Sequence, residues 1–364
     1  MKASLRWVWL TGIFLLLAQS GRTQKFNSYY NFKQLNVQNG LAQNIVYHFL
    51  QDSRGYIWIG TRNGITRYDG IRTVNFQHDE KNPRSIGGNF ITGIFEDSNH
   101  VIWIGNDGGI DQFNPRENDF THYPIMMADG HSENSYCVLL GFTCVHDLWV
   151  IDTKSAAIRI FNTHSGKFKT VARTEAVDGI IHFDPVKNKG DIWTYLSMST
   201  IHLVFSGDSL INQVRYFNGL RPEEPSLLIF HVYYQEDSVV WLSTARGIIR
   251  LNPQTREHKI YNIHNGEPVT EIRCVAPSPK GLLWVGTGGF GLYTFDPKTE
   301  KFVDHFSNYA LDRFSICSNN IVSLYFDKVG NIWCGSYGNG VSYAHVESKS
   351  FTKALSKEEM DQWK

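Results

Sequence analysis

An excess of charge of either sign is missing from this chain. Lys plus Arg and Asp plus Glu number 35 each among 364 residues, so no global field draws in nucleic acid or an anionic membrane surface. Cysteine is scarce. The five thiols (Cys137, Cys144, Cys274, Cys317 and Cys334) form no CxxC pair and have no zinc-type spacing. They read as small buried side chains in strands, with a Cys137–Cys144 disulfide open to them in an oxidising compartment. The odd count leaves at least one unpaired within a single chain. Proline is modest at 11 residues. The sequence also lacks GxSxG, HExxH, GxxxxGK[ST] and an EF-hand loop. The run GTGGFG at Gly286–Gly291 lies between two strand patterns rather than opening a helix, which argues against a dinucleotide site. The 14 histidines are scattered; His146 beside Asp147 and His131 near Glu133 sit in turns without a third partner and read as loop residues. No cofactor or metal is expected.

Long apolar runs are absent after the first twenty residues, so no later segment has the length to span a bilayer. At the amino terminus Lys2 and Arg6 precede VWLTGIFLLLA, and small residues follow at Ala18 and Ser20. Residues 1–20 read as a secretory signal peptide cut near Ser20–Gly21, the alternative being an uncleaved anchor. A periplasmic location follows from that reading. No cysteine follows the apolar stretch to carry a lipid.

Aromatic residues and glycine, by contrast, are plentiful: 14% of the chain is Phe, Trp or Tyr, and 31 residues are Gly. That mixture suits an all-β protein with many tight turns. The tryptophans set its period. Trp58, Trp103, Trp149, Trp193, Trp241, Trp284 and Trp333 are spaced by 45, 46, 44, 48, 43 and 49 residues, the interval of a propeller blade. The residue before each is aliphatic. Asp52, Asp97 and Asp327 recur in the turn before it, and a glycine turn such as Asn63–Gly64 or Asn339–Gly340 follows. The first unit, NIVYHFLQ, YIWIGT, GITRYD and TVNFQHD, reads as four short antiparallel strands joined by turns that supply positive φ. A strand packed on both faces by neighbouring blades can be apolar throughout, and the Trp fills the gap between blades. The fold expected is all-β: a seven-bladed β-propeller of four-stranded antiparallel blades over residues 27–355. The third and fourth units are degenerate, with Ile151 and Tyr195 where the first has Gly60. The recurring aspartates read as turn-makers, because a catalytic residue would be unique to one blade. Two segments match an outer strand that closes the ring, Tyr29–Asn36 and Lys349–Leu355. Tyr29–Asn36 is expected to close the seventh blade, which leaves residues 356–364 as a tail, the lead into a further domain.

The phrase GLAQNIVYHFLQDSRGYIWIGTRNGITRYDG (Gly40–Gly70) resembles the two-component regulator propeller repeat, strongly in blades one, two, six and seven, fairly in five and weakly in three and four. That repeat builds the exported sensor portion of hybrid two-component histidine kinases in gut Bacteroidetes. There two seven-bladed propellers precede an immunoglobulin-like domain, a membrane helix, and kinase and DNA-binding parts. The resemblance implies an exported sensor responding to oligosaccharides. This sequence holds a single propeller and no kinase module, so it reads as a truncated sensor or a stand-alone propeller. Partners expected are an oligosaccharide or other small ligand, and a second propeller, sensor domain or homodimer partner. Nucleic acid and a membrane span of the mature chain are not.

In a propeller the loops from outer strand to next inner strand share one face with those between second and third strands. Here they mix Arg, Asp, Asn and aromatics, the residue types that bind sugar hydroxyls and ring faces. The candidate ligand-binding residues are Arg62, Asn63, Asn106, Asp107, Arg221, Arg246, Tyr309, Arg313, Tyr337 and Asn339. A non-catalytic ligand-binding sensor is the preferred function. A propeller lyase or hydrolase acting on a glycan or peptide, and a protein-interaction scaffold, are the alternatives.

Overall fold

The tryptophan-bearing runs become the second strand of each sheet, and burial explains their composition. Ile57–Thr61, Ile102–Asn106, Val239–Thr244 and Leu283–Thr287 are buried at every position, so no alternation is required. The computed structural model describes residues 30–125, 136–142, 146–155, 157–173, 191–196, 199–206, 209–216, 228–236 and 239–346. Seven antiparallel sheets form the blades of a seven-bladed propeller. Among the described residues six have four strands. The fourth, Asp191–Leu196, Ser199–Ser206 and Ser209–Tyr216, has three. The residues ahead of it, 174–190, lie outside those described. The described inner strands pack around a central channel. Val46–Gln51 of blade one meets Ile91–Glu96 of blade two on one side and Ile321–Phe326 of blade seven on the other.

The tryptophans sit between blades as the repeat requires. Trp58 is wholly buried, its ring 4.9 Å from Phe113 of blade two. Trp103 meets Phe161 of blade three at 5.5 Å, Trp241 meets Phe295 of blade six at 5.5 Å, and Trp333 meets Tyr68 of blade one at 6.1 Å. The recurring aspartates prove to be more than turn-makers. One oxygen of Asp52 accepts the N–H groups of Arg54 and Tyr56, and the other accepts the Trp58 indole N–H at 2.9 Å. Asp97 with Trp103 and Asp327 with Trp333 repeat the arrangement at 3.0 and 2.9 Å. Gln235 takes the place in blade five, accepting from Trp241 at 2.8 Å.

A second device staples neighbouring blades at three seams. Asn44, Asn89 and Asn319 stand two residues before an inner strand. Their side-chain oxygens accept the N–H groups of Val37, His78 and Asn308, each two residues past the preceding blade's outer strand. Their backbone carbonyls accept from Gly340, Gly64 and Gly291 in the preceding blade's glycine turn. At Gly291 both the backbone and the space demand glycine: φ is +89°, and a Cβ would lie 2.3 Å from the Phe306 carbonyl oxygen.

The ring closes through the amino-terminal segment. Lys33–Leu35 pairs antiparallel with Val341–His345 as the outer strand of blade seven, Lys33 opposite Tyr343 and Leu35 opposite Val341. The competing segment Lys349–Leu355 and the tail 356–364 lie outside the described residues, as do residues 1–29. Cys137, Cys274, Cys317 and Cys334 are buried free thiols, and burial pushes each thiol pKa up. Cys144 lies outside the described residues. No helix among them is long and apolar enough to cross a membrane.

Candidate functional site

The loop-bearing face surrounds one mouth of the channel, and two columns of residues line it. They flank the first paired residue of each inner strand. The preceding column includes Phe90, Tyr136 and Glu271; the following one includes Tyr47, Phe230 and Arg273. These side chains assemble into two opposed features. On one side Tyr47, Phe90 and Tyr136, from blades one, two and three, form a chain of ring contacts at 5.5 and 5.2 Å. Tyr136 is half exposed. On the other side the Arg273 guanidinium lies 4.0 Å over the Phe230 ring and pairs with Glu271 at 2.9 Å. Below the mouth a cavity of about 150 Å³ is bounded by His48, His231, Cys274 and Ser323, among others.

The sequence candidates divide in this setting. Arg62 and Tyr337 come to the mouth on either side of Tyr47. Its hydroxyl pKa is raised by burial first and then by Tyr337, while Arg62 pulls the other way. Tyr337 is bridged to Ile45, whose carbonyl accepts the Arg62 N–H. Arg246 is exposed on the same face, in the turn after the second strand of blade five. Asn106 is wholly buried and donates to Asp111, a carboxylate also bound to His122 at 2.8 Å and to the Gly87 N–H. Asp107 caps the Phe90 N–H, and Asn339 donates to the Cys317 carbonyl. Asn63 accepts from Gln77 through its carbonyl. Tyr309 and Arg313 lie away from the mouth in the loop before blade seven, where Arg313 covers the Phe314 ring at 4.6 Å. Arg221 lies outside the described residues. Sequence reading missed Tyr47, Phe90, Tyr136, Phe230, Glu271 and Arg273. The signal that finds them is variation: with the blades aligned, these columns change chemistry from one blade to the next.

Seven blades around a channel, with an aromatic and charged mouth built from loops, define a seven-bladed β-propeller. Three segments match the two component regulator propeller family, at residues 40–63, 85–108 and 315–338. Each contains the stapling asparagine, the inner strand, the aspartate turn and the Trp strand. The matched segments fall in blades one, two and seven. Blade six has Thr270 and Ser278 where those blades have the asparagine and the aspartate.

A 74-residue stretch, 20% of this chain, is 34% identical to histidine kinase P4 of Formosa agariphila, of which it spans 5%. Among solved structures, the extracellular domain of a B. thetaiotaomicron protein assigned to the hybrid two component systems is similar with a TM-score of 0.67 and 20% identity, over 86% of this chain and 42% of that one. A catalytically inactive virginiamycin B lyase from Staphylococcus aureus, solved with quinupristin, is similar with a TM-score of 0.65 and 12% identity, over 87% and 99%. Identities this low show the fold alone. This chain spans about two fifths of the length of the extracellular domain it matches.

Proposed function

We propose that this chain is the ligand-binding part of an exported, non-catalytic sensor, and that its ligand is an oligosaccharide seated over the channel mouth. The supporting observation is the arc of Tyr47, Phe90 and Tyr136, three rings from three blades in continuous contact. Sugars present flat apolar C–H faces to such rings and hydroxyls to planar polar groups, here Arg62 and the Arg273–Glu271 pair. The pairing of Arg273 with Glu271 leaves both committed to positioning rather than to proton transfer.

Titration calorimetry against size-graded oligosaccharides from glycan digests is expected to find a binder of micromolar affinity. Tyr136→Ala should weaken it at least tenfold, about 1.4 kcal/mol, with the melting temperature unchanged because the ring is half exposed. Absence of binding at millimolar sugar, or a Tyr136→Ala protein that binds normally, overturns the reading. Export is expected to remove residues 1–20, so the intact mass of protein recovered from the periplasm should correspond to a chain starting at Gly21. Retention of the full-length mass would overturn it.

A further inference from the structure

The charge around the channel mouth departs from that of the chain as a whole. Over the full sequence Lys plus Arg equals Asp plus Glu, at 35 each. The turns between second and third strands lie on the mouth face. Among the described residues they carry Arg62 in blade one, Lys154 in blade three and Arg246 in blade five, each exposed. Asp107 in blade two is the one carboxylate in those described turns, and it is committed to the Phe90 N–H at 3.1 Å. Glu271, at the entry to the inner strand of blade six, is taken by Arg273 at 2.9 Å. The mouth has therefore used these acidic groups internally and presents basic ones outward.

Arg62 stands beside further donors. Its backbone N–H donates to the Ile45 carbonyl at 3.1 Å, and Ile45 forms an antiparallel bridge to Tyr337. Arg62 and Tyr337 are thus held against one shared backbone position at the seam of blades seven and one, and Tyr47 follows that position by two residues. The Arg62 guanidinium makes no ion pair among the described residues, and the Tyr47 and Tyr337 hydroxyls make no hydrogen bond among them. Burial, and Tyr337 after it, hold the Tyr47 hydroxyl pKa above the ordinary tyrosine value, against the pull of Arg62. At neutral pH that hydroxyl keeps its proton and is a donor. A guanidinium with two phenolic donors around it is a receptor for an anion.

We propose, on the reading that an oligosaccharide occupies the mouth, that this ligand is acidic and that Arg62 binds the carboxylate of one of its uronic acid units. The planar guanidinium meets a carboxylate with two parallel N–H donors, a match that a sulfate or a hydroxyl reproduces less well. Tyr47 belongs to both features: its hydroxyl lies beside Arg62, and its ring opens the aromatic arc 5.5 Å from Phe90. The charged unit and a unit packed on the rings are therefore neighbours along one short chain. Arg246, in blade five, adds attraction at longer range that favours entry of an anion.

Calorimetry on the full chain tests this with paired probes. They are the tetrasaccharides of galacturonate, mannuronate and glucuronate, each against its own carboxyl-reduced neutral form, and a sulfated galactan tetrasaccharide. At least one uronate is expected to bind about tenfold or more tighter than its reduced form, the strength of a charge-assisted, two-donor contact. The ratio should shrink as salt rises from about 0.1 to about 1 M, where the screening length falls from about 10 to about 3 Å. Arg62→Gln is expected to bring the ratio close to one, and Arg62→Lys to keep part of it. Arg313→Gln removes the same charge away from the mouth and should leave the ratio as it is. Equal or tighter binding of every reduced form, tighter binding of the sulfated probe, or a ratio indifferent to Arg62→Gln overturns the proposal. So does binding of a neutral oligosaccharide from the glycan digests when no uronate binds, and that result leaves the oligosaccharide reading standing. Absence of binding by every sugar overturns both.

Discussion

Trp58→Ala is expected to lower the unfolding free energy by about 3–5 kcal/mol, the cost of truncating a large aromatic in a packed core, measured by urea denaturation. Trp58 is wholly buried between blades one and two. It packs edge-on to Phe113 at 4.9 Å, lies near parallel to Phe76 at 6.1 Å, and is covered by Arg67 at 5.7 Å. It also donates its indole N–H to Asp52, itself only 4% exposed. Trp58→Phe separates the two contributions. It keeps most of the apolar contact but leaves a buried carboxylate oxygen without its donor, at about 1–3 kcal/mol. Trp284 supplies the control. Its ring stacks on Phe306 at 5.5 Å, but Ser278 stands where Asp52 stands in blade one, and its hydroxyl is taken by the Leu282 N–H. Trp284→Phe should therefore cost less than Trp58→Phe. Equal losses would mean that the indole–aspartate bond contributes nothing measurable.

That comparison also marks what the sequence could reveal. The blade period was legible because the inter-blade gap must be filled at every seam, and among the described side chains the buried Trp58, Trp103, Trp149, Trp241, Trp284 and Trp333 recur at that period. The Asp–Trp bond was equally present, as the same six-residue offset in Asp52–Trp58, Asp97–Trp103 and Asp327–Trp333. It passed unnoticed because an aspartate in a turn already has a sufficient local explanation. The channel mouth was illegible for the opposite reason. Repetition identifies what every blade needs, and a binding site on a propeller is built from what each blade does differently. Asn106 and Asn339 illustrate the confusion: both are polar loop-face residues in sequence, and both have side chains engaged in holding their own blades.

The choice between Tyr29–Asn36 and Lys349–Leu355 could not be read from pattern, since both carry an aromatic at the right distance from a Trp. The fold seats Lys33–Leu35 on the edge of Val341–His345, and the reason it matters extends beyond those hydrogen bonds. Phe32 is buried and donates its N–H to the Phe314 carbonyl, while the Gln34 side chain donates to the Ser315 carbonyl. The segment thereby ties blade seven to the loop leading out of blade six. It also repairs a defect. At four seams the preceding Trp meets an aromatic on the next blade's third strand; opposite Trp284 that residue is Ala344, and Tyr30 packs on Trp284 at 5.8 Å and on Phe306 at 5.7 Å instead.

Deleting residues 30–36 therefore removes the closing strand and the filling of that seam together. Phe32 and Leu35 alone represent losses of about 3–5 and 2–5 kcal/mol, so the melting temperature should fall by about 10 °C or more. The exposed edge of Val341–His345 should promote association, visible as a higher apparent mass by light scattering. Deleting residues 349–364 should change the melting temperature little, because one sheet edge accepts one strand. A protein stable without residues 30–36 but destabilised without 349–364 would show that Lys349–Leu355 is the strand that closes the ring in solution.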